Sequence, residues 1–488
     1  MQLLKKIPFF PLLLVLFFCL HGGVENYGYL GFGEVVIVGL VILACMGLFF
    51  LVTLFFTRNR IFAALITFFV GLWYLFFGAI QDFLKSYSWL FPLQRYSIIL
   101  PVLLVATIAW IIFLKKKKGL QPQLMFYFNL VLVLYCFIDV CSLGYKYLTV
   151  QKKKEVVIPF DYSKVKARPN VYFMLFDEYP GYKSLKDSFG FANDSLYNFL
   201  HRKGFRNLPV YANYDFTLFS MSAILNMKYV DSGYIPNAVS QRELQLRINE
   251  IRDAAVVDVF RKMGYRFRNY SIFDVADQHA VADQNAFLPV HSILITDKIL
   301  HNRLLKSSGW LLQKFPLWRK KYMMQHDANN LYSEKMLIET SGEKDQQPAF
   351  CYAHFVLPHA PFYRDSTGRY NSDQQIDDQH AWSRALYLSY VKYTNTVIDS
   401  LASSITANDP GAIIIVMSDH GYRSYNNKLP YEPFNYNIIC SARFPDNNYP
   451  DDRERWSSVN FFRYLFNSQF GQNIPYLADT SIVLSYPK

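Results

Sequence analysis

The pattern of apolar and polar positions divides the chain into two textures. Up to about residue 150, apolar side chains come in runs approaching the ~20 residues needed to cross a bilayer. These runs are Ile7–Gly23, Glu34–Phe56, Ile61–Ile80, Ile98–Leu114 and Leu124–Leu148, and they predict five membrane helices in a domain covering residues 1–148. The last is interrupted by Asp139 and by Gly144-Tyr145-Lys146. Residues 149–168 are basic and then mixed, with Pro159 inside and Pro169 just beyond, and read as a linker. From residue 169 to 488 the apolar runs shorten and alternate with amphipathic stretches. Val171–Phe176, Tyr265–Tyr270, Phe350–Leu357, Ile413–Met417 and Tyr436–Ala442 read as strands. Asn193–Lys203, Val256–Met263, Tyr387–Leu401 and Val459–Phe466 read as helices, the first two followed by Gly204 and Gly264. Strands alternating with helices predict an α/β layered domain.

Charge adds an orientation. Lys5-Lys6, Arg58, Arg60 and Lys115–Lys118 lie on one side of the expected spans, whereas the other short loops carry only Lys85 and Arg95. The basic side is expected to be cytoplasmic. Five spans then put everything after residue 149 outside the cytoplasm, with Lys152-Lys153-Lys154 close to anionic headgroups. The first run also reads as a signal peptide with a basic flank, but His21-Gly22-Gly23 is a poor cleavage site and a retained helix is expected. Much of the net charge of +12 sits at these membrane borders. With no zinc-finger spacing or RNA-binding signature beside it, the charge does not argue for nucleic acid. Of the six cysteines, only Cys351 and Cys440 fall in the outer domain. Both lie in strand-like runs, and buried free thiols are expected rather than a disulfide.

Four places in the outer domain put polar groups in or just beyond an apolar run. Asp177-Glu178 follows VYFMLF. Thr217 lies in NYDFTLFSMS (Asn213–Ser222). His354 and His359 lie in AHFVLPHAPF (Ala353–Phe362). Asp419-His420-Gly421 ends GAIIIVMSDHG (Gly411–Gly421). Open α/β sheets carry their chemistry beyond the carboxyl ends of strands, and a carboxylate beside an imidazole there suits a metal ion. Each place also has a bland reading. Asp177-Glu178 fits a solvated loop start, Thr217 a helix cap, and His354 a hydrogen-bonded core histidine. His359, between Pro358 and Pro361, lies in a rigid loop.

The combination and its order resemble the alkaline-phosphatase/sulfatase superfamily, and within it the membrane-anchored branch of lipoteichoic acid synthases and phosphoethanolamine transferases. The resemblance is carried by PNVYFMLFDEYPG (Pro169–Gly181), NYDFTLFSMSAILNM (Asn213–Met227), HFVLPHAPF (His354–Phe362), MSDHG (Met417–Gly421) and VNFFRYLFN (Val459–Asn467). It implies a central, mostly parallel sheet flanked by helices. It also implies that Asp177, Thr217, Asp419 and His420 bind metal, with Glu178 as a further ligand. Thr217 stands in the nucleophile's place. His359, and less securely His354, would contact phosphate or a leaving group.

The sulfatase pattern Cys/Ser-x-Pro/Ala-x-Arg is absent, because Thr217-Leu218-Phe219-Ser220-Met221 occupies its place. A sulfate-ester hydrolase is therefore disfavoured against phosphoryl chemistry. Mixed oxygen and nitrogen ligation suits Zn²⁺ or Mn²⁺, as one or two ions. The resemblance implies transfer of a phosphoethanolamine or phosphoglycerol headgroup from a phospholipid donor to an envelope glycan or glycolipid acceptor. The enzyme would be embedded in the inner membrane with its site on the periplasmic side. Hydrolysis with water as acceptor, and a non-catalytic scaffold, remain the alternatives.

Overall fold

The computed structural model describes residues 3–149, 158–230, 239, 241–281, 288, 290–312, 324–377, 383–423, 435–449, 454–482 and 484. The chain divides into two compact units. One is Met1–Lys154 with Ala286–Phe315, and the other is Glu155–Asn285 with Pro316–Lys488.

The first unit contains a helix at each of the five apolar runs: α1 (Phe10–Glu25), α2 (Phe32–Thr57), α3 (Arg60–Leu75) continued by α4 (Phe77–Ser86), α5 (Tyr96–Lys116) and α6 (Gln121–Thr149). The expectation of five spans needs correction. Among the described residues, three helices are long and apolar enough to cross a membrane, and a fourth span arises only if α3 and α4, bent by 51°, count together. With 16 residues, α1 extends about 24 Å, short of the ~30 Å hydrocarbon core. Its Phe10, Leu14, Val15 and Phe18 are buried, whereas Leu12 and Leu16 on its other face are exposed. The boundary expected at residue 169 also shifts, because residues 286–315 fold with the N-terminal helices. Charge matching holds them there. Arg303 donates both terminal nitrogens to Asp82 at 2.9 Å, Lys298 reaches Asp82 at 3.1 Å, and His291 meets Glu34 at 3.1 Å. The sequence reading missed this because the segment carries no long apolar run.

In the second unit, a six-stranded sheet has the order β2-β7-β6-β1-β5-β4. The strands are β1 (Val171–Phe176), β2 (Arg206–Asn207), β4 (Arg266–Tyr270), β5 (Ala349–Phe355), β6 (Ile413–Ser418) and β7 (Cys440–Arg443), while β3 (Val210–Tyr211) and β8 (Trp456–Ser457) pair separately. β1 runs parallel to β5 and β6, and β4 parallel to β5. β7 is antiparallel to both β6 and β2. The sheet is therefore mixed, and β7 is its single reversed strand.

All six β1 positions and all six β6 positions are buried, as expected of strands covered on both faces. Val171, Phe173 and Leu175 enter one core with Ile413 and Ile415, alongside Ile224 of α9 (Thr217–Asn226) and Phe260 of the helix Ala255–Lys262. Tyr172, Met174 and Phe176 enter the other, with Leu185, Leu196 and the helix Arg384–Asn408. The strict alternation of β1 between the two cores makes three layers, helix–sheet–helix. Cys351 and Cys440 are buried free thiols.

Candidate metal and anion centre

Register brings the candidate residues together. Phe176, the last residue of β1, pairs with Phe355 of β5 on one side and Ser418 of β6 on the other. Whatever follows these three strands emerges at one edge: Asp177-Glu178 from β1, His359 a few residues beyond β5, and Asp419-His420 from β6. The turn is held by backbone and side-chain bonds. The Asp177 N–H donates to Phe355 O at 2.9 Å, the Glu178 N–H to Asp419 Oδ1 at 3.2 Å, and the Tyr179 N–H to Ser418 Oγ at 2.9 Å.

Thr217 arrives from the helix layer. It is the first residue of α9, whose N-cap is Phe216, and no side chain caps that end. The capping role open to Thr217 is therefore not used. Its Oγ1 instead lies 3.2 Å from His420 Nε2, at the positive end of the helix dipole. From Phe219 to Asn226 every residue of α9 is buried, which fixes the position of its first turn.

Asp177, Asp419 and His420 offer ligand atoms all within 4.8 Å of one another. His420 Nε2 is 3.4 Å from Asp419 Oδ2 and 3.7 Å from Asp177 Oδ1. Both of those oxygens are buried without a hydrogen-bond partner. The Nδ1 of His420 lies 2.8 Å from Gly421 O. A proton on Nδ1 satisfies that carbonyl and leaves the Nε2 lone pair facing Thr217 and the carboxylates. Burial and the charge of Asp419 push the Asp177 carboxyl up to about 7. Burial acts on Asp419 in the same direction, but His420 and His354 outweigh it and hold that carboxyl low. Burial depresses His420.

Two like charges ~4 Å apart repel by about 4 kcal/mol at an effective dielectric near 20. Each orphaned buried acceptor costs a further ~1–3 kcal/mol. A divalent cation removes both penalties, and the donor set of two carboxylates, one imidazole and the Thr217 hydroxyl fits Zn²⁺ or Mn²⁺.

A second cluster adjoins this one. Glu178 is fully buried and has φ +64°, a left-handed conformation costing a non-glycine residue about 1–3 kcal/mol. Its Oε1 accepts from the Arg423 N–H at 2.8 Å and faces Arg423 Nε at 3.6 Å. Its Oε2 lies 3.7 Å from His359 Nε2, and Arg423 Nη2 approaches that same nitrogen at 3.1 Å. The Arg423 guanidinium also stands over the ring of Phe216, 5.8 Å from its centroid. Burial disfavours charge on His359, but Asp177 and Glu178 outweigh it and its pKa is raised. His359 Nδ1 lies 2.6 Å from Ala360 O, which leaves Nε2 to face the Arg423 guanidinium, the fixed positive charge of this cluster.

His354 sits inside β5 and not at the strand end. Its Nδ1 meets Tyr352 OH at 3.0 Å, its Nε2 is buried without a partner, and burial lowers its pKa to about 4. Two residues carried little weight in the sequence. Arg423 reads as readily as a surface residue. His326, whose pKa is lowered by burial and by His359, lies outside every motif, and only the charge coupling reveals that it neighbours His359.

A buried carboxylate–imidazole trio at the ends of β1 and β6, with a hydroxyl delivered by a helix N-terminus, defines a member of the alkaline-phosphatase/sulfatase superfamily. The chain belongs to the sulfatase family, whose model it matches over residues 178–439, more than half of its length. No curated protein matches it. Solved structures are distant likenesses. A Bacteroides thetaiotaomicron protein from work on the metabolism of multiple glycosaminoglycans shares 15% identity over 63% of this chain and 74% of its own, with TM-score 0.41. The C-terminal periplasmic domain of EcEptC from Escherichia coli, in complex with Zn, shares 14% over 64% and 85%, with TM-score 0.38. A phosphonate monoester hydrolase from Silicibacter pomeroyi shares 16% over 64% and 75%, with TM-score 0.39.

Proposed function

We propose that this protein moves a phospho-alcohol headgroup, of phosphoethanolamine or phosphoglycerol type, from a membrane phospholipid to an envelope glycan or glycolipid. The reaction passes through a phospho-Thr217 intermediate. The observation that carries this reading is the Thr217 hydroxyl, uncapped at a helix N-terminus and 3.2 Å from His420 Nε2, beside two unpartnered carboxylate oxygens. The helices α2, α5 and α6 support a lipid donor, since they suit a chain anchored in the membrane. The same reading places the protein in the inner membrane with this unit on the periplasmic side.

Asp177, Asp419, His420 and Thr217 would hold the metal, and Glu178 is engaged with Arg423. When bound, the cation supplies Lewis-acid charge that makes the Thr217 oxygen nucleophilic. Thr217 Oγ, its proton released to bulk water, attacks the donor's phosphorus, and the bond from phosphorus to the diacylglycerol oxygen breaks. Arg423 pairs with the non-bridging oxygens, offsetting repulsion between the anionic diester and the incoming oxygen. His359 gives its proton to the departing diacylglycerol oxygen and takes one from the acceptor hydroxyl in the second half-reaction. That hydroxyl attacks the phospho-threonine and restores Thr217.

The test is incubation of purified protein with headgroup-labelled phospholipid, with and without acceptor lipid. Label on Thr217 and on the acceptor is expected. Thr217→Ala should fold, keep its thermal midpoint and lose at least about 10³-fold in turnover. Full activity in that variant would remove Thr217 as nucleophile. Headgroup released into water at an undiminished rate without acceptor would make the protein a hydrolase.

A further inference from the structure

A cavity of about 570 Å³ lies within the first unit, between α2, α3 and the segment 288–302. Its volume falls in the range of ligand pockets, ~300–1,000 Å³. One wall is apolar. Val38, Ile42 and Met46 recur every four residues along α2 and form that helix's only buried stripe. Opposite them is Gly71 of α3, where an added Cβ would come within 2.3 Å of Met46 Cε, so the two helices approach closely at that level.

The polar groups gather at one side. Tyr74 OH meets His301 Nδ1 at 2.8 Å with the rings stacked, and Asn302 Nδ2 donates to Thr296 O at 2.9 Å. An apolar wall with a polar rim matches an amphiphile, chain inside and head outward. Such a wall holds water poorly. Only 11% of the most apolar stretch of α2 is buried, so in a membrane lipid chains surround this helix and supply the occupant.

We propose that this cavity binds one acyl chain of a membrane phospholipid, with the Tyr74–His301 pair at the level of its glycerol and headgroup. The site rests on the membrane helices and not on the phosphoryl chemistry of the other unit.

The full chain would be reconstituted in vesicles of phosphatidylethanolamine and phosphatidylglycerol. The vesicles would carry a trace of phosphatidylethanolamine with a photoreactive diazirine in one chain. Crosslinks are expected to concentrate on peptides from α2, α3 and residues 288–302. Filling the cavity by Cys45→Trp should lower that labelling at least five-fold. Leu40→Trp, on the opposite, exposed face of the same helix, should leave it unchanged. Val41→Trp serves as a second filling variant if Cys45→Trp fails to insert. Labelling spread over α2, α5 and α6 in proportion to exposure, or equal labelling in the filled and control variants, would overturn the proposal. Thr217→Ala should label normally, which separates failure of this site from failure of the proposed reaction.

Discussion

Asp177 and Glu178 are neighbours in sequence, buried at the end of one strand, yet they build opposite surroundings. Asp177 joins Asp419 and His420 in a cluster with unpartnered acceptors and an excess of negative charge. Glu178 turns through a left-handed backbone to meet Arg423 and His359. The first cluster holds acceptors without donors, and the second pairs its carboxylate with a guanidinium and an imidazole. One peptide unit separates the two surroundings because the chain reverses between them. The proposed phosphoryl transfer would use both, side by side.

Removing a cation ligand should break this contrast most. Asp419→Asn is expected to lower turnover by about 10³-fold or more and to reduce bound Zn²⁺ or Mn²⁺ in metal analysis. A variant that keeps its metal and its activity would show that the trio is structural. Arg423→Ala should cost about 10²-fold, mainly in transition-state stabilisation. Arg423→Lys should recover part of that, since it keeps charge and loses the planar fork. Metal content should be unchanged in both.

Glu178→Gln sharpens the comparison further. If Glu178 positions Arg423, the variant keeps its metal, and kcat/KM falls by about ten-fold. A lost metal ion would instead place Glu178 among the ligands.

The smallest effect concerns His354. Its folded pKa is about 4 against an ordinary 6.5, so the unfolded chain takes up the proton first as pH falls. The neutral histidine's contribution is complete above about pH 6.5 and declines toward pH 4, by up to about 3 kcal/mol. His354→Gln should flatten this acid loss, measured as the denaturant midpoint near pH 7 and near pH 5. An unchanged slope would show that His354 is not the group responsible.

Much of this arrangement is legible in the chain. Val171–Phe176 occurs as expected, and Ile413–Met417 is extended by one residue, because short continuous apolar runs rich in β-branched and aromatic residues and ended by charge suit strands buried on both faces. The helix Arg384–Asn408 exceeds its expected length, since Ser383 caps it at 3.3 Å through the Leu386 N–H. Tyr436–Ala442 proved to be strand only from Cys440, and reversed, because direction is set by pairing with β6 and not by composition. The short α1 differs by length alone, since its 16 residues carry the composition of a span without its reach.

The sequence by itself determined the residue types and their placement at strand ends: an acid after β1, an acid and histidine after β6, a threonine opening an apolar helix. Local physics suffices there, because periodicity and chain reversal are properties of a few adjacent residues. Only the tertiary structure decided which oxygens remain unpartnered, that Thr217 faces His420, that Glu178 belongs with Arg423, and that residues 286–315 join the membrane helices. Those outcomes depend on contacts between residues distant in sequence, whose energies exist only once the sheet has brought them together.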